Sequence, residues 1–488
     1  MSRSALYKGQ SGLGEREREQ ERTFLCPVHF SGQWLVARRL PHPSGTMSKV
    51  FSGTMSKTFA LVALFSSLAA ANLYQVPIGP QPFPTDYDFT TNWDNDSCTI
   101  SRSKAFDILE GPNTFSTAAD AHINSPKITP LINRTNWEQW EFDGLSHNGL
   151  SLFLTSFSRD YSYHFFGKGN LRIEVYMNLA DGTSVRELDY VDESIVIDCP
   201  TYTAGIWNSS DKSYSFHATK DLKHIKLMFD SWRVNGTYKL SATTPPVHAD
   251  GSLWDPEGGD KPGVTELSPG LYYSIPVVSG EMEVDAVVSG GRKLGFRGKG
   301  GSTRLWANNG WLGITEGWKA IRAWAGPYTF TYWHVTFKKD WGTMFYSGHL
   351  FYNDQLLVGT RVGNVSDTDD YARITANFDA GISGRFADKN TGNTLEFVSP
   401  SRDKKWRFEL EHILVQYEMG VGNGDGLSGF ANRVVGGEVG GLQYEGRGQT
   451  EQTLFPEYVS QWVTWLIFGV GFLGPGKDYA LEFVSWFF

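Results

Sequence analysis

Apolar residues return at every second position through most of this chain. Leu171, Ile173, Val175 and Met177 alternate with Arg172, Glu174, Tyr176 and Asn178, and Trp406, Phe408, Leu410, His412 and Leu414 alternate with mostly charged neighbours. That period turns successive side chains to opposite faces, the pattern of strands half-buried in antiparallel sheets. Further strands are predicted at 150–157, 224–229, 238–242, 272–278, 280–288, 328–337, 350–362, 372–378 and 394–398. Within 328–337 the aromatic phase changes: Tyr328, Phe330 and Tyr332 share one face, then Trp333, Val335 and Phe337 the other. A bulge near Tyr332, or a strand buried on both faces, accounts for this. Many short strands separated by turns predict an all-β protein of sandwiches or barrels.

A chain of 488 residues is too long for one core and suits two domains. Between Thr243 and Gly270 the alternation lapses into Pro245, Pro246, Pro256, Pro262 and Pro269 among glycines. The expected division is a first β domain over 72–245, a linker over 246–269 and a second β domain over 270–488. The apolar run 462–473 is shorter than the roughly 20 residues a bilayer requires, so no stable membrane insertion is expected.

The N-terminus reads as an extension followed by a secretory signal. Met55-Ser56-Lys57 gives a short basic start, 59–68 an apolar core and Ala69-Ala70-Ala71 a small-residue cleavage site. Residues 1–54 are expected to be a disordered extension or a gene-model artefact, 55–71 the signal, and the secretory route or secretion the location. Two of the three cysteines follow it, and a Cys98–Cys199 bridge is predicted, closing a loop whose entropy contributes roughly 4 kcal/mol. Sequons for N-glycosylation stand at Asn95, Asn133, Asn208, Asn235 and Asn364. Residues 1–54 carry eight Lys or Arg and four Glu, leaving 36 basic against 49 acidic groups in 55–488, a net of −13. Nucleic acid and anionic membranes are poor partners for such a surface.

Between Phe296 and Phe337 lie five of the seventeen tryptophans together with Arg297, Arg304 and Arg322. Aromatic walls with a few polar tips suit a pocket for a bulky lipophilic small molecule, and equally the core of a β domain. In 137–144, Glu138, Trp140 and Phe142 share one face of an extended chain and Gln139, Glu141 and Asp143 the other. A carboxylate there either orients a ligand or belongs to a solvated acidic row. His412 reads as a core histidine, with no second histidine or cysteine at metal-ligand spacing. Glu281, Glu283 and Asp285 share a face, but their order departs from the catalytic strand of jelly-roll glucanases.

Trp140-Glu141-Phe142-Asp143, followed by the apolar strand ending in Ser158-Arg159-Asp160, resembles the opening of the fungal Diels-Alderase family. These are lipocalin-like pericyclases of polyketide pathways, distantly similar to carotenoid hydratases. Gly295-Phe296-Arg297 through Trp306 to Arg322-Ala323-Trp324-Ala325-Gly326-Pro327-Tyr328 matches a second stretch, and the likeness spans roughly residues 85 to 485. The run 297–304, Arg-Gly-Lys-Gly-Gly-Ser-Thr-Arg, departs from relatives that carry histidine and aspartate in a turn there.

The resemblance implies an N-terminal β-sandwich, a C-terminal lipocalin-like β-barrel, and a ligand cavity at or between them. It also implies cofactor-independent chemistry, an intramolecular [4+2] cycloaddition of a polyketide-derived polyene. A hetero-Diels-Alder reaction and non-catalytic binding of lipophilic molecules are the alternatives. Arg304, Arg322 and Glu138 are the expected catalytic groups. Trp140, Trp306, Trp318, Trp324, Tyr328, Tyr332 and Trp333 are the expected substrate contacts.

Overall fold

Two ladders, antiparallel along their main paths, carry nearly all the regular structure among the described residues. The computed structural model describes residues 73–74, 97–107, 114–129, 136–160, 169–182, 184–340, 342–379, 381–386, 388–422 and 424–456. The signal and extension, Asn95, Asn133 and the apolar run 462–473 lie outside the described residues. Among the described residues no helix is long and apolar enough to cross a membrane.

The first ladder runs, in spatial order, Thr99–Lys104, Glu193–Asp198, Tyr202–Ser209, Lys212–Thr219, His224–Asp230, Val234–Ala242, Leu271–Val288, Arg292–Ala307, Trp137–Ser146, Leu152–Asp160, Leu171–Asn178 and Ser184–Tyr190. It folds over on itself. Trp140 meets Trp207 and Phe216 at 5.5 and 5.6 Å although several strands separate them in the ladder. The space enclosed is filled by one apolar cluster that also takes in Phe142, Phe153, Phe157, Tyr238 and Met282. Cys98 and Cys199 form the expected disulfide.

The second ladder runs Gln355–Thr360, Met344–Tyr352, Tyr328–Phe337, Thr315–Ala325, Gln443–Leu454, Asp425–Glu438, Lys404–Gly422, Gly392–Ser399 and Tyr371–Asn377. Its first strand returns against the last two, so the sheet is a nearly closed barrel. Ile321, Ala323, Phe330, Phe397, Trp406, Phe408 and Leu410 fill the interior.

Both ladders lie within one compact unit, 66–488. The change of sheet does not fall at the proline-rich stretch. Leu271–Val288 and Arg292–Ala307 pair within the first ladder, and the crossing comes at 308–314, through the single helical turn Trp311–Ile314. The predicted strands at 272–278 and 280–288 are one 18-residue strand, which pairs with Arg292–Ala307 along its length through register shifts on either side of Val277. The predicted strand 350–362 is instead a hairpin turning at Asn353 and Asp354, both with positive φ. Tyr328–Phe337 keeps an unbroken register through Tyr332 and is buried on both faces, so no bulge is needed there.

Candidate functional site

The outer wall of the barrel packs against the outer face of the first ladder, and alternation along Thr315–Ala325 sets what meets there. Ile321, Ala323 and Ala325 point into the barrel, while Trp318, Ala320, Arg322 and Trp324 point at the other sheet. Arg322 is the central tie. Its Nε donates to Asp143 at 3.0 Å, Nη1 to the carbonyls of Val277 and Val278 at 3.0 and 2.6 Å, and Nη2 to the Thr303 hydroxyl at 3.0 Å. A side chain on Gly301 would sit 2.1 Å from that guanidinium, so a bare backbone is required for the arginine to lie flat. The glycine-rich run 297–304 is therefore the interior of a strand, Arg292–Ala307, and not the turn expected from the family pattern.

Apolar contacts close the junction on either side of Arg322. At one end Trp324 packs with Leu145, Leu152 and Ala431. At the other an aromatic chain runs from Tyr273 to Trp333 at 4.7 Å, from Trp333 to Trp311 at 6.4 Å, and from Trp311 to Trp318 at 4.9 Å.

Between these seals the two surfaces touch through Tyr176 and Tyr417, whose rings stand 5.5 Å apart. Glu141, Tyr176, Tyr417 and Glu451 are enclosed so deeply that burial dominates the shift of each titration, yet all four retain accessible surface. Side chains with both properties border space between the two sheets that the packing leaves unfilled. Its floor on the first sheet is the rung Glu174, Ser156, Glu141 and Thr303, with Tyr176, Leu154, Asp143 and Gly301 beside it. Its opposite wall is the barrel rung Tyr417, Gly429, Glu451 and Ala320. Ser156 and Ala320 are the small residues facing this space, while Arg322 and Tyr417 fill the room beside Gly301 and Gly429.

Four carboxyls, Glu141, Asp143, Glu174 and Glu451, gather here; Arg322 pairs with Asp143 at 2.9 Å and Arg172 with Glu174 at 2.8 Å. Burial, and then the charges of Glu451 and Asp143, push the Glu141 carboxyl up to about 8; the Arg322 guanidinium opposes this only in part. At neutral pH Glu141 is mainly a neutral acid, able to donate a hydrogen bond. Its described side-chain partner is Gln139 Nε2, which donates to it at 3.1 Å. Burial also raises Glu451, against hydrogen bonds from Tyr417 and Trp318.

The residues expected from sequence separate into three groups. Arg322, Trp318, Trp324 and Trp333 stand at this junction. The indole N–H of Trp333 is buried and has no acceptor among the described residues.

Glu138, Arg304, Trp140 and Trp306 lie on the opposite face of their strands. Glu138 accepts from Arg304 at 2.5 Å, from Arg159 at 3.4 Å and from the Lys127 backbone at 2.9 Å. The Arg304 guanidinium lies 3.6 Å over the Trp140 ring. Both Glu138 and Arg304 are fully buried, so no open surface reaches them, although the Arg304 Nε has no acceptor among the described residues. The indoles of Trp140 and Trp306 donate to the Asn124 and Ser116 carbonyls.

Tyr328 and Tyr332 point into the barrel. His412 is buried there, stacked on Phe430 at 3.8 Å. Among the sequons, Asn235 and Asn364 are exposed and Asn208 half-buried. Glu283 pairs with Arg297 on the solvent face of its strand, beside an open concavity that also includes Lys239 and Asp285.

Sequence reasoning missed Glu451, Tyr417 and Tyr176. On 137–144 the expected ligand-orienting carboxylate was Glu138, beside the aromatic walls, and Glu141 was not among the expected site residues.

Comparison with known proteins bears on this arrangement directly. Residues 95–456 match the model of the family described as Diels-Alderase-like. The chain belongs to that family. It is 56% identical over 435 residues to a hexane cyclase of Xenoacremonium sinensis, covering 89% of this chain and 99% of that one. It is 43% identical over 423 residues to a Diels-Alderase of Thermothelomyces thermophilus, covering 85% and 95%. The crystal structure of CghA with Sch210972 superposes with a TM-score of 0.65 at 22% identity, over 74% of this chain and all of that one, and shows the same fold.

Proposed function

We propose that this member of the family is a cofactor-independent pericyclase that folds a linear polyketide-derived polyene for intramolecular [4+2] cycloaddition. The observation that supports the reading is the group Glu141, Tyr176, Tyr417 and Glu451, set deep between the sheets yet still accessible, which we read as one hollow walled also by Trp318 and Trp324. A [4+2] closure makes two carbon–carbon bonds from three π bonds with no change of oxidation state, so it requires shape and polarisation and no redox partner. Holding diene and dienophile in a near-attack geometry lowers a barrier by up to roughly 7–11 kcal/mol. A hydrogen bond from protonated Glu141 to a carbonyl conjugated with the dienophile would draw electron density from it, worth about 1 kcal/mol. Arg322, with four of its five N–H donors engaged, holds the sheets at the separation that creates the space.

The expected catalytic and contact sets contract accordingly. We assign substrate contact to Trp318, Trp324 and Trp333, with Arg322 as the tie and Glu141 as the polarising donor. Glu138, Arg304, Trp140 and Trp306 support the first sheet, and Tyr328 and Tyr332 support the barrel.

The named hexane cyclase and Diels-Alderase relatives favour ring closure over mere carriage of the ligand. Incubation with a linear polyene bearing a conjugated acyl terminus tests this. The reading requires faster cyclisation and a product ratio different from the spontaneous one; binding with unchanged rate and ratio would leave a carrier. We also infer passage through the secretory route, supported by the disulfide and the signal-like 55–71. Endoglycosidase-sensitive mass at Asn235 or Asn364 in the protein from its native host would follow, and unmodified sequons with reduced cysteines would oppose it.

A further inference from the structure

One rung of the barrel ladder carries Tyr417, Gly429, Glu451 and Ala320 on four neighbouring strands. A Cβ on Gly429 would sit 2.3 Å from the Tyr417 ring. Only a bare backbone there lets the phenol lie across the intervening strand, where it donates to Glu451 at 2.6 Å. From the other side, the Trp318 indole donates to the other oxygen of the same carboxyl, Oε1, at 2.5 Å. Two aromatic walls that arrive from different strands are therefore fastened to one side chain. Each has a further neighbour: Tyr417 meets Tyr176 of the first sheet, and Trp318 meets Phe455 at 5.3 Å and Trp311 at 4.9 Å. A ring pinned at its polar tip and flanked on its body has one orientation available, which is how a pocket keeps a fixed shape.

We propose that Glu451 is a positioning residue that sets product selectivity, by locking Trp318 and Tyr417 into a single wall against which the polyene folds. The inference rests on the pericyclase reading and names what within that site fixes the fold of the substrate. A polyene in a rigid hollow closes through one arrangement of diene and dienophile. With the two rings released, competing arrangements fit and the product ratio drifts towards that of the spontaneous reaction. Glu451 need not touch the substrate for this.

The test compares Glu451→Leu, which removes both acceptors at similar volume, with Glu451→Gln, whose carbonyl oxygen can accept from the Trp318 indole while its NH2 donates to the Tyr417 hydroxyl oxygen. Gly429→Ala displaces Tyr417 while leaving the carboxyl in place. With a linear polyene, Glu451→Leu is expected to move the diastereomer ratio at least fivefold towards the spontaneous value. Glu451→Gln should stay within about twofold of wild type, and Gly429→Ala should shift the ratio in the same sense as Glu451→Leu.

A second readout needs no turnover. In protein labelled with 5-fluorotryptophan, the Trp318 fluorine resonance, assigned by its loss in Trp318→Phe, should move in Glu451→Leu and hold in Glu451→Gln. A wild-type protein that cyclises no polyene would sink the pericyclase reading, while the resonance would still decide whether Glu451 holds Trp318. A wild-type diastereomer ratio in Glu451→Leu, or an unmoved resonance, overturns the inference, even if the melting temperature falls.

Discussion

The strand Trp137–Ser146 has a carboxylate on each face, and the two faces treat it differently. On the inner face Glu138 is matched by two guanidinium groups and a backbone N–H, with Trp140 and Phe142 sealing it from water. On the outer face Glu141 has, among the described residues, no cation in hydrogen-bond contact, has other carboxylates as neighbours, and keeps part of its surface accessible. Both are remote from bulk solvent. The difference is compensation: a buried charge that is fully paired holds a structure together, whereas an uncompensated one takes up a proton and becomes a chemical group. Geometry alone would have ranked Glu138 as the better buried acid, and pairing reverses that order.

Breaking the paired face should have the largest effect. Glu138→Ala leaves Arg304 and Arg159 buried without their counter-charge, and about 3–5 kcal/mol of stability should be lost. Urea unfolding would show it as a large drop in midpoint, and a midpoint near wild type would mean that the cluster is not sealed. On the open face, Glu141→Leu should leave the urea midpoint at or above wild type, since it removes a carboxyl with no cation to lose. The same change should slow cyclisation by roughly fivefold, the equivalent of about 1 kcal/mol.

The contrast sharpens with pH. Because the Glu141 carboxyl is raised to about 8, it is protonated and donating below that value and ionised above it. Activity should therefore be flat from about pH 6 to 7 and decline as pH passes through about 8, and Glu141→Gln, which cannot ionise, should lose the decline. A wild-type profile flat to pH 9.5 would remove Glu141 from the donor role. The smallest effect belongs to the solvent-facing acids: Glu283→Gln, losing only the exposed contact to Arg297, should change stability by less than about 0.5 kcal/mol and leave cyclisation untouched.

The sheets themselves were readable in the sequence because period two is a local property. Leu171–Asn178 and Tyr328–Phe337 follow directly from it. The division between sheets was not readable, because Leu271–Val288 and Arg292–Ala307 have the same pattern whichever ladder they join. The proline-rich stretch before them marks a change in local conformation, not a change of partner. Of the site, Trp318, Trp324 and Arg322 could be chosen by residue type, but so could Trp306 and Arg304, which have the same composition and the opposite facing. Facing depends on register against strands more than a hundred residues away, and register is a tertiary fact. Tyr417 and Glu451 were hidden more deeply still. Tyr417 lies beyond two irregularities in the pairing of Lys404–Gly422, which break the alternation that made Trp406 to His412 legible.

The account stands on the hollow between the sheets being the reaction chamber, and Ala320→Trp tests that most directly by placing an indole in the space above its floor. With a linear polyene, the variant should cyclise it at no more than the spontaneous rate while its melting temperature stays within a few degrees of wild type. Wild-type rate and product ratio in a folded Ala320→Trp protein would contradict the account and place the chemistry elsewhere.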